Sequence, residues 1–264
     1  MIVGKFYNGS GLGNMLFRYV ATRVRALDLG VDYGMVYIDD GAGKEQGFKG
    51  KFFKGDFWGK KPPFEVVITE HGPMYQGEYM NTWNEKKVIE NGVDIRSYDP
   101  NFNFIEDNMI IDGEFQDERY WEHREQEVNE WLKVESIDIP DDVCVIGFRG
   151  GEFALYPDLF LTKEYWAEAI VLMLQKNINM KFEVHTDDEV LAQQFFPNYK
   201  VIHDIGINWR SMRYARYAII ANSSFFILPR WLSKGITIAP RFWGRRNTKT
   251  WSLPQNFYRR FLYI

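Results

Sequence analysis

Several features that carry chemistry in other proteins are scarce in this sequence. Cys144 is the one cysteine among 264 residues, so neither an internal disulfide nor a cysteine-based metal site can form. The four histidines, at positions 71, 123, 185 and 203, show no metal-ligand spacing, and no serine nucleophile elbow accompanies them. No apolar run approaches the roughly 18 residues of a membrane span, and the first six residues are too short for a signal-peptide core. These absences predict a cytoplasmic protein without a transmembrane segment, and they leave peripheral membrane contact open.

Excess positive charge is missing as well. The formal net charge is −4 and the sequence pI is near 5.7, which argues against a nucleic-acid-binding protein. Hydrophobic residues at 45% and charged residues at 26% are near globular averages, and the length fits one large or two small domains. Aromatic residues are unusually frequent, at 17% of the chain with nine Trp. We expect most of them in the core, with Trp209 and Trp243 available to line a cleft.

The amino-terminal segment has the pattern of a βα unit. A strand over residues 1–3 runs into a glycine loop over residues 9–14, and a helix with one apolar face follows until Gly30. Asn14 stands where the dinucleotide fingerprint has its third glycine. The loop is therefore either a tight turn or a place where Gly11 and Gly13 let backbone N–H groups approach a phosphate or a sugar.

The middle of the chain is less regular. A glycine- and lysine-rich segment over residues 41–63 is either a solvated loop or a loop that contacts an anionic or lipid-linked glycan. Short strands are predicted at residues 66–68 and 109–111, and a helix at residues 117–133. A linker over residues 135–142 divides the chain into an acceptor-side α/β domain, residues 1–135, and a nucleotide-sugar-binding domain, residues 136–264.

The second half alternates strands and helices, which predicts an α/β, Rossmann-like domain with a parallel sheet covered on both faces. The predicted strands are residues 143–148, 182–185, 199–202, 218–221 and 236–239, and the predicted helices are 162–174, 188–194, 209–216 and 225–232. Ligands of such sheets bind outside the carboxyl ends of the strands. The residues there are Arg149 with two glycines and Glu152, then Asp187 and Asp188, then Asn222, Ser223 and Ser224.

Each of these sets of residues allows two interpretations, one structural and one functional. Arg149 ends an apolar strand, so it either pairs with a structural anion such as Glu152 or binds a diphosphate, with the two glycines leaving room for that ligand. Asp187 and Asp188 are either a helix N-cap pair or part of the donor site. A magnesium site at these two aspartates lacks a supporting carboxylate cluster. Ser223 and Ser224 either cap a helix or contact phosphate oxygens.

Several segments in order resemble the bacterial-type alpha-1,2-fucosyltransferases and, more distantly, the wider group of alpha-1,2-, alpha-1,6- and protein O-fucosyltransferases. Residues 11–17 (GLGNMLF) resemble the Gly-Leu-Gly-Asn-Gln-Met-Phe signature of that family, with the Gln absent. Residues 113–120 (GEFQDERY) resemble its Gly-Tyr-Phe-Gln-Ser stretch, and residues 219–225 (IIANSSF) its Asn-Ser-Ser-Phe motif. Residues 147–152 (GFRGGE) occupy the place of its His-x-Arg-Arg-Gly-Asp motif.

The resemblance implies a GT-B-like fold, with two Rossmann-like domains facing across a cleft and a GDP-sugar held mainly by the second. It also implies inverting transfer of fucose without a required metal or other cofactor. Arg149 takes the place of the family arginine that contacts the diphosphate, the His and the second Arg are absent, and Glu152 replaces Asp. Asn208 stands where the family has an Asp that reads guanine. An amide oxygen accepts one of the two guanine hydrogen bonds, so Asp204 is the alternative contact.

The sequence thus predicts a glycosyltransferase that moves fucose from GDP-fucose to a galactose-type hydroxyl in alpha-1,2 linkage, on a glycan or lipid-linked glycan. Asn14, Arg149 and Glu152 are the predicted catalytic residues, with Glu152 as general base. The predicted donor-binding residues are Gly11, Gly13, Asp187, Asp188, Asn208, Asn222, Ser223 and Ser224, and no metal ligand is predicted. The alternatives are a transferase of the same fold with another nucleotide-sugar donor, and an inactive homologue that binds nucleotide or glycan.

Overall fold

The computed structural model describes residues 1–7, 10–38, 81–90, 93–96, 98–241 and 258–264. The chain divides into two compact units, Met1–Lys133 and Val134–Ile264. The boundary predicted from sequence, after residue 135, lies two residues further along the chain. Three features named in the sequence analysis lie outside the described residues: the lysine-rich segment 41–63, the short strand predicted at 66–68, and Trp243.

The first unit contains a parallel four-stranded sheet, and its first strand and helix form the predicted βα unit. The sheet order is β2-β1-β6-β3, and every neighbouring pair is parallel. These strands are β1 (Ile2–Tyr7), β2 (Tyr33–Ile38), β3 (Asn81–Asn84) and β6 (Met109–Asp112). A separate antiparallel pair is formed by β4 (Lys87–Glu90) and β5 (Val93–Arg96).

Helix α1 (Leu12–Leu29) follows β1 and packs tightly on the sheet. A Cβ at Gly4 of β1 would collide with the Thr22 hydroxyl of the helix and with Met35 of β2, so only glycine permits this approach. The helix ends as predicted at Gly30, whose φ of 66° is left-handed and whose N–H donates to the carbonyls of Ala26 and Leu27.

The predicted helix over residues 117–133 is wrong in its first half. Two short 3₁₀ turns, Glu118–Tyr120 and Glu122–Arg124, precede helix α2 (Glu125–Trp131). Asp117 accepts from the Arg119 N–H and pairs with the Arg119 guanidinium, which closes a local turn in place of an α-helical one. Trp121, Val128 and Leu132 of this segment are buried, and Trp131 is half-buried.

The second unit confirms the prediction of an α/β domain. The six strands described in this unit are parallel in the order β9-β8-β7-β10-β11-β12, which is the doubly wound order 3-2-1-4-5-6. The strands are β7 (Val143–Phe148), β8 (Lys181–Thr186), β9 (Lys200–Ile202), β10 (Tyr217–Ile220), β11 (Ile236–Ala239) and β12 (Phe261–Tyr263). The helices are α3 (Lys163–Leu174), α4 (Glu189–Phe195), α5 (Ile205–Tyr214) and α6 (Ser224–Ser233), with a 3₁₀ turn at Gly151–Leu155.

The core of this unit contains two features that composition alone does not reveal. Trp209 is completely buried, so the expectation that it lines a cleft is wrong. Arg230 is also completely buried, and it donates to the Met212 and Ala215 carbonyls at 2.8 Å and to the Thr237 hydroxyl at 2.9 Å. Burial lowers the pKa of the Arg230 guanidinium, because no carboxylate within the described residues forms a salt bridge with it.

No helix in the described part of the chain has the length and apolar character needed to span a membrane.

Candidate functional site

The strand order of the second sheet changes direction between the neighbouring strands β7 and β10. The chain leaves β7 for β8 and β9 on one side, and then returns to β10 on the other side. The register pairs Ile220 with Gly147, and the Ala221 N–H continues the ladder by donating to the Gly147 carbonyl at 2.9 Å. The loop that starts at Arg149 and the loop that contains Asn222 therefore begin side by side. In open parallel sheets this position is where ligands bind.

Arg149 is held by two carboxylates. Its guanidinium pairs with Asp187 and, at 3.2 Å, with Glu152, and its side chain is 21% exposed. The Nε atom is buried and has no hydrogen-bond partner within the described residues. The pair with Glu152 agrees with one of the two interpretations of Arg149 that the sequence allows. The pair with Asp187 was missed, because the two residues are 38 positions apart.

Asp187 and Asp188 fasten the loop that follows Arg149. Asp187 Oδ1 accepts from the Gly150 N–H at 2.9 Å, and Asp188 Oδ2 accepts from the Gly151 N–H at 3.2 Å. Asp188 also caps helix α4, because its Oδ1 accepts from the Leu191 N–H at 3.0 Å. The N-cap reading of this pair therefore holds for Asp188.

Gly150 and Gly151 leave space that is filled by Asp187 and Asp188. The expectation that these glycines leave room for a ligand is therefore wrong. A Cβ at Gly150 would lie 2.6 Å from the Cβ of Asp188. A Cβ at Gly151, whose φ is 49°, would lie 2.8 Å from Asp187 Oδ2. A direct contact between the β7 and β8 loops thus explains why both positions are glycine.

The Asn222–Ser224 segment forms the other side of the switch point. Ser223 is the N-cap of α6, but its side chain makes no capping hydrogen bond, and no acidic residue lies in the first turn. Asn222 donates to the Leu159 carbonyl at 2.9 Å, and its Oδ1 is buried without a partner in the described part of the chain. Ser224 is half-buried at the first position of the helix. The helix start thus retains N–H groups and hydroxyls that can meet an anion.

The side chain of Asn208 makes its hydrogen bonds to residues inside the second unit. It is 5% exposed, its Oδ1 contacts His185 Nδ1 at 2.9 Å, and its Nδ2 donates to the Thr186 carbonyl at 3.0 Å. Both ends of the amide are therefore engaged, which argues against its predicted contact with a nucleotide base. Asp204, the alternative, is exposed and caps α5 by accepting from the Ile207 N–H at 2.7 Å.

His185 is the buried partner of Asn208. Burial lowers its pKa to about 4, so the ring is neutral at physiological pH. Since Asn208 Nδ2 donates elsewhere, Nδ1 carries the histidine proton, and Nε2 is buried without a hydrogen bond in the described part of the chain. Glu183 Oε2 is 3.9 Å from that nitrogen.

The first unit brings together the two segments that resemble family motifs there. Gly11 is the extended N-cap of α1, which has no side-chain cap, and a Cβ at Gly11 would meet no atom of the described residues within 4 Å. Gly13 is buried in the first turn of this helix. Asn14 Oδ1 accepts from Gln116 Nε2 at 2.9 Å. A helix start without a side-chain cap is consistent with the predicted approach of a ligand to these N–H groups.

Sequence reasoning missed a charged cluster at the end of β6. Asp112 accepts from Lys5 at 3.1 Å, from the Tyr7 hydroxyl at 2.6 Å and from Arg18 at 3.4 Å, and Arg18 also pairs with Glu114 at 2.6 Å. Burial and the hydrogen bond to Asp112 raise the pKa of Tyr7 to about 12. The rule applied to the second half, that polar residues directly after buried parallel strands meet at one edge, would have found Asp112 and Glu114.

Within the described ranges, no group of three or more His, Cys, Asp or Glu side chains is placed to hold a metal ion. Metal independence stays a prediction.

No protein-family model matches the chain. No curated protein matches it either. Among solved structures, the chain is similar to the E. coli heptosyltransferase WaaC with ADP, at 10% identity and a TM-score of 0.46, covering 100% of this chain and 92% of that one. It is also similar to a family 9 glycosyltransferase from Veillonella parvula, at 11% identity and a TM-score of 0.48, covering 100% and 86%. The resemblance to the fucosyltransferases therefore depends on the motifs alone, and the facing arrangement of the two units stays a prediction.

Proposed function

We propose that this protein is a glycosyltransferase that uses a nucleoside-diphosphate sugar. One observation carries the proposal: Arg149 and the uncapped start of α6 lie at the carboxyl ends of adjacent strands, at the switch point of a doubly wound sheet. An arginine fork, backbone N–H groups and serine hydroxyls at that position match the acceptor oxygens of a diphosphate.

The Asp187 carboxylate marks where an anion fits in this arrangement. It accepts from both the Arg149 guanidinium and the Gly150 N–H, which are the donors a phosphate oxygen would use. On donor binding, the diphosphate would replace Asp187 on one arm of the guanidinium. Arg149, Ser223 and Ser224 would then stabilise the charge that develops on the leaving diphosphate.

In the transfer step, an acceptor hydroxyl oxygen attacks the anomeric carbon and forms the new glycosidic bond. The bond from that carbon to the diphosphate oxygen breaks, and its electron pair leaves with the diphosphate. The hydroxyl proton passes to a carboxylate, for which Glu152 is the candidate. Glu152 shares its charge with Arg149, so its availability as a base depends on the same rearrangement that frees the guanidinium.

The finer assignment is fucose from GDP-fucose, transferred in alpha-1,2 linkage to a galactose-type hydroxyl of a glycan or lipid-linked glycan. Its support is the order of the fucosyltransferase-like motifs, together with the direct contact between two of them at Asn14 and Gln116. The internal bonds of Asn208 weaken the guanine assignment and favour testing other donors beside it.

A second candidate is an inactive homologue that binds nucleotide or glycan without turnover. The double pairing of Arg149 with Asp187 and Glu152 favours it, because both carboxylates neutralise the charge that a diphosphate would need.

The test is an assay with GDP-fucose, UDP-, ADP- and CMP-sugars and a galactose-terminated acceptor, with and without EDTA, reading product mass and released nucleotide. We expect transfer from one donor, with activity in EDTA and its loss in Arg149→Ala. Arg124→Ala, which removes a partly exposed arginine paired with Asp28 in the first unit, is the matched control and should retain activity. A thermal-shift measurement with the free nucleotides adds the binding readout. Nucleotide binding with neither transfer nor donor hydrolysis would select the inactive homologue, and the absence of nucleotide binding together with the absence of turnover would reject the proposal.

A further inference from the structure

A cavity of about 290 Å³ lies in the second unit between helix α3 and the segment that joins α4 to β9. Its walls contain none of the residues described above at the switch point. They are formed by Lys163, Trp166, Ala167, Ile170 and residues 195–199.

Four aromatic side chains dominate the cavity walls. The rings of Phe196 and Tyr199 stack at 6.0 Å, and Trp166 meets Phe196 edge-on at 5.6 Å. Phe148, the last residue of β7, contacts Trp166, Phe195 and Phe196 at centroid distances between 5.2 and 5.6 Å. Because these rings hold one another in place, the cavity walls are formed before any ligand arrives.

The polar groups of the cavity favour a ligand that accepts hydrogen bonds. Among the residues that line the cavity, Lys163 alone is charged, and, after the larger effect of a hydrogen bond with Thr162, its charge also helps to lower the pKa of the exposed Glu164 beside it in the chain. Its ammonium group lies 5.4 Å from the centroid of Phe195, which keeps the charge at the cavity. A cation beside a wall of aromatic rings favours an anion over a neutral ligand or a cation.

We infer that this cavity binds a small aromatic carboxylate. The aromatic ring would lie among Trp166, Phe195, Phe196 and Tyr199, and the carboxylate would pair with Lys163. The volume is near the lower limit of about 300 Å³ for ligand pockets, so the occupant has one or two rings and is smaller than a nucleotide sugar.

The test is isothermal titration calorimetry of the full chain with 1-naphthoate and with its neutral counterpart 1-naphthamide. We expect 1-naphthoate to bind more tightly than the amide. Lys163→Gln should weaken 1-naphthoate by roughly tenfold, as the loss of one charge-assisted contact predicts, and leave the amide unchanged. Ala167→Trp should abolish binding of both, and the fold should tolerate it because Ala167 is exposed on α3.

Two control variants separate this site from other sources of binding. Lys176→Gln removes the same charge at an exposed position just after α3 that does not line the cavity, and it should bind as the parent protein does. Arg149→Ala should also leave 1-naphthoate binding unchanged. The inference is overturned if 1-naphthoate fails to bind at millimolar concentration, if the amide binds equally well, or if Lys163→Gln and a folded Ala167→Trp both bind like the parent protein.

Discussion

Gln116 donates a hydrogen bond to Asn14 across 102 positions of the sequence. Each residue belongs to one of the two segments of the first unit that resemble fucosyltransferase motifs. The bond occupies the Asn14 carbonyl oxygen, and the Asn14 side-chain N–H₂ has no partner within the described residues. In the proposed site, that group would donate to an oxygen of a ligand.

Replacing Gln116 by Met should lower the transfer rate because Asn14 then loses the contact that orients its amide. We expect a fall of about tenfold in kcat, typical of a lost positioning contact, with little change in the melting temperature. Steady-state kinetics and a thermal melt measure the two effects. Gln175→Met, at an exposed position just past α3, serves as the control, and an unchanged kcat in Gln116→Met would contradict the positioning role.

The pair between Arg149 and Asp187 should contribute to stability as well as to the site. Both side chains are about one-fifth exposed, at 21% and 19%, so we expect Arg149→Ala to cost about 2 kcal/mol, between surface and buried pairs. Urea unfolding of Arg149→Ala, Asp187→Asn and the double variant gives the coupling energy. Independent effects that simply add would show that the two groups do not interact in solution.

His185 should make the protein less stable as acidity increases. Its folded-state pKa is about 4 and its unfolded value is about 6.5, so between these limits the unfolded chain binds more protons than the folded chain. Stability should therefore decline as the pH falls from 6.5 toward 4, by at most about 3 kcal/mol for this group.

Urea unfolding at several pH values, compared between the parent protein and His185→Gln, tests this expectation. The slope with pH should be shallower in the variant. His203→Gln, at an exposed histidine, should retain the parent slope, and equal slopes in all three proteins would count against the buried histidine.

Arg230 should not tolerate replacement by Lys. A lysine ammonium cannot reproduce the planar set of donors that reaches the carbonyls of Met212, Ala215 and Ile236 and the Thr237 hydroxyl. We expect Arg230→Lys to lower the free energy of unfolding by about 2–3 kcal/mol, because buried acceptors lose their donors. The exposed Arg216→Lys should change it by less than about 0.5 kcal/mol, and a similarly small effect at Arg230 would be contrary evidence.

The sequence predicts the second sheet well for a physical reason. β7 is an uninterrupted apolar run that is buried along its whole length, and its observed bounds are the predicted ones. Parallel strands covered on both faces have this composition, so their positions can be read locally. The edge where Arg149, Asp187 and Ser223 follow the strands could likewise be predicted from the strand assignments.

Contacts between distant residues could not be predicted in the same way. The pair of Arg149 with Asp187 depends on how two loops approach each other, and Gly150 and Gly151 look like ligand space until the aspartates that fill that space are seen. Asn208 resembles a base-reading residue in sequence, yet its amide is engaged by His185 and Thr186. A residue type at a motif position indicates a role only when its hydrogen bonds are not already made inside the fold.

Cys144 lies at 0% exposure in β7, and burial raises the pKa of its thiol. A thiol in that position reacts with a labelling reagent only after the strand opens. Because the chain has no other cysteine, the rate of labelling in the native protein would report how often the second unit exposes its central strand, without any engineered probe. A ligand at the carboxyl end of β7 would then be detected as slower labelling, whatever reaction the protein catalyses.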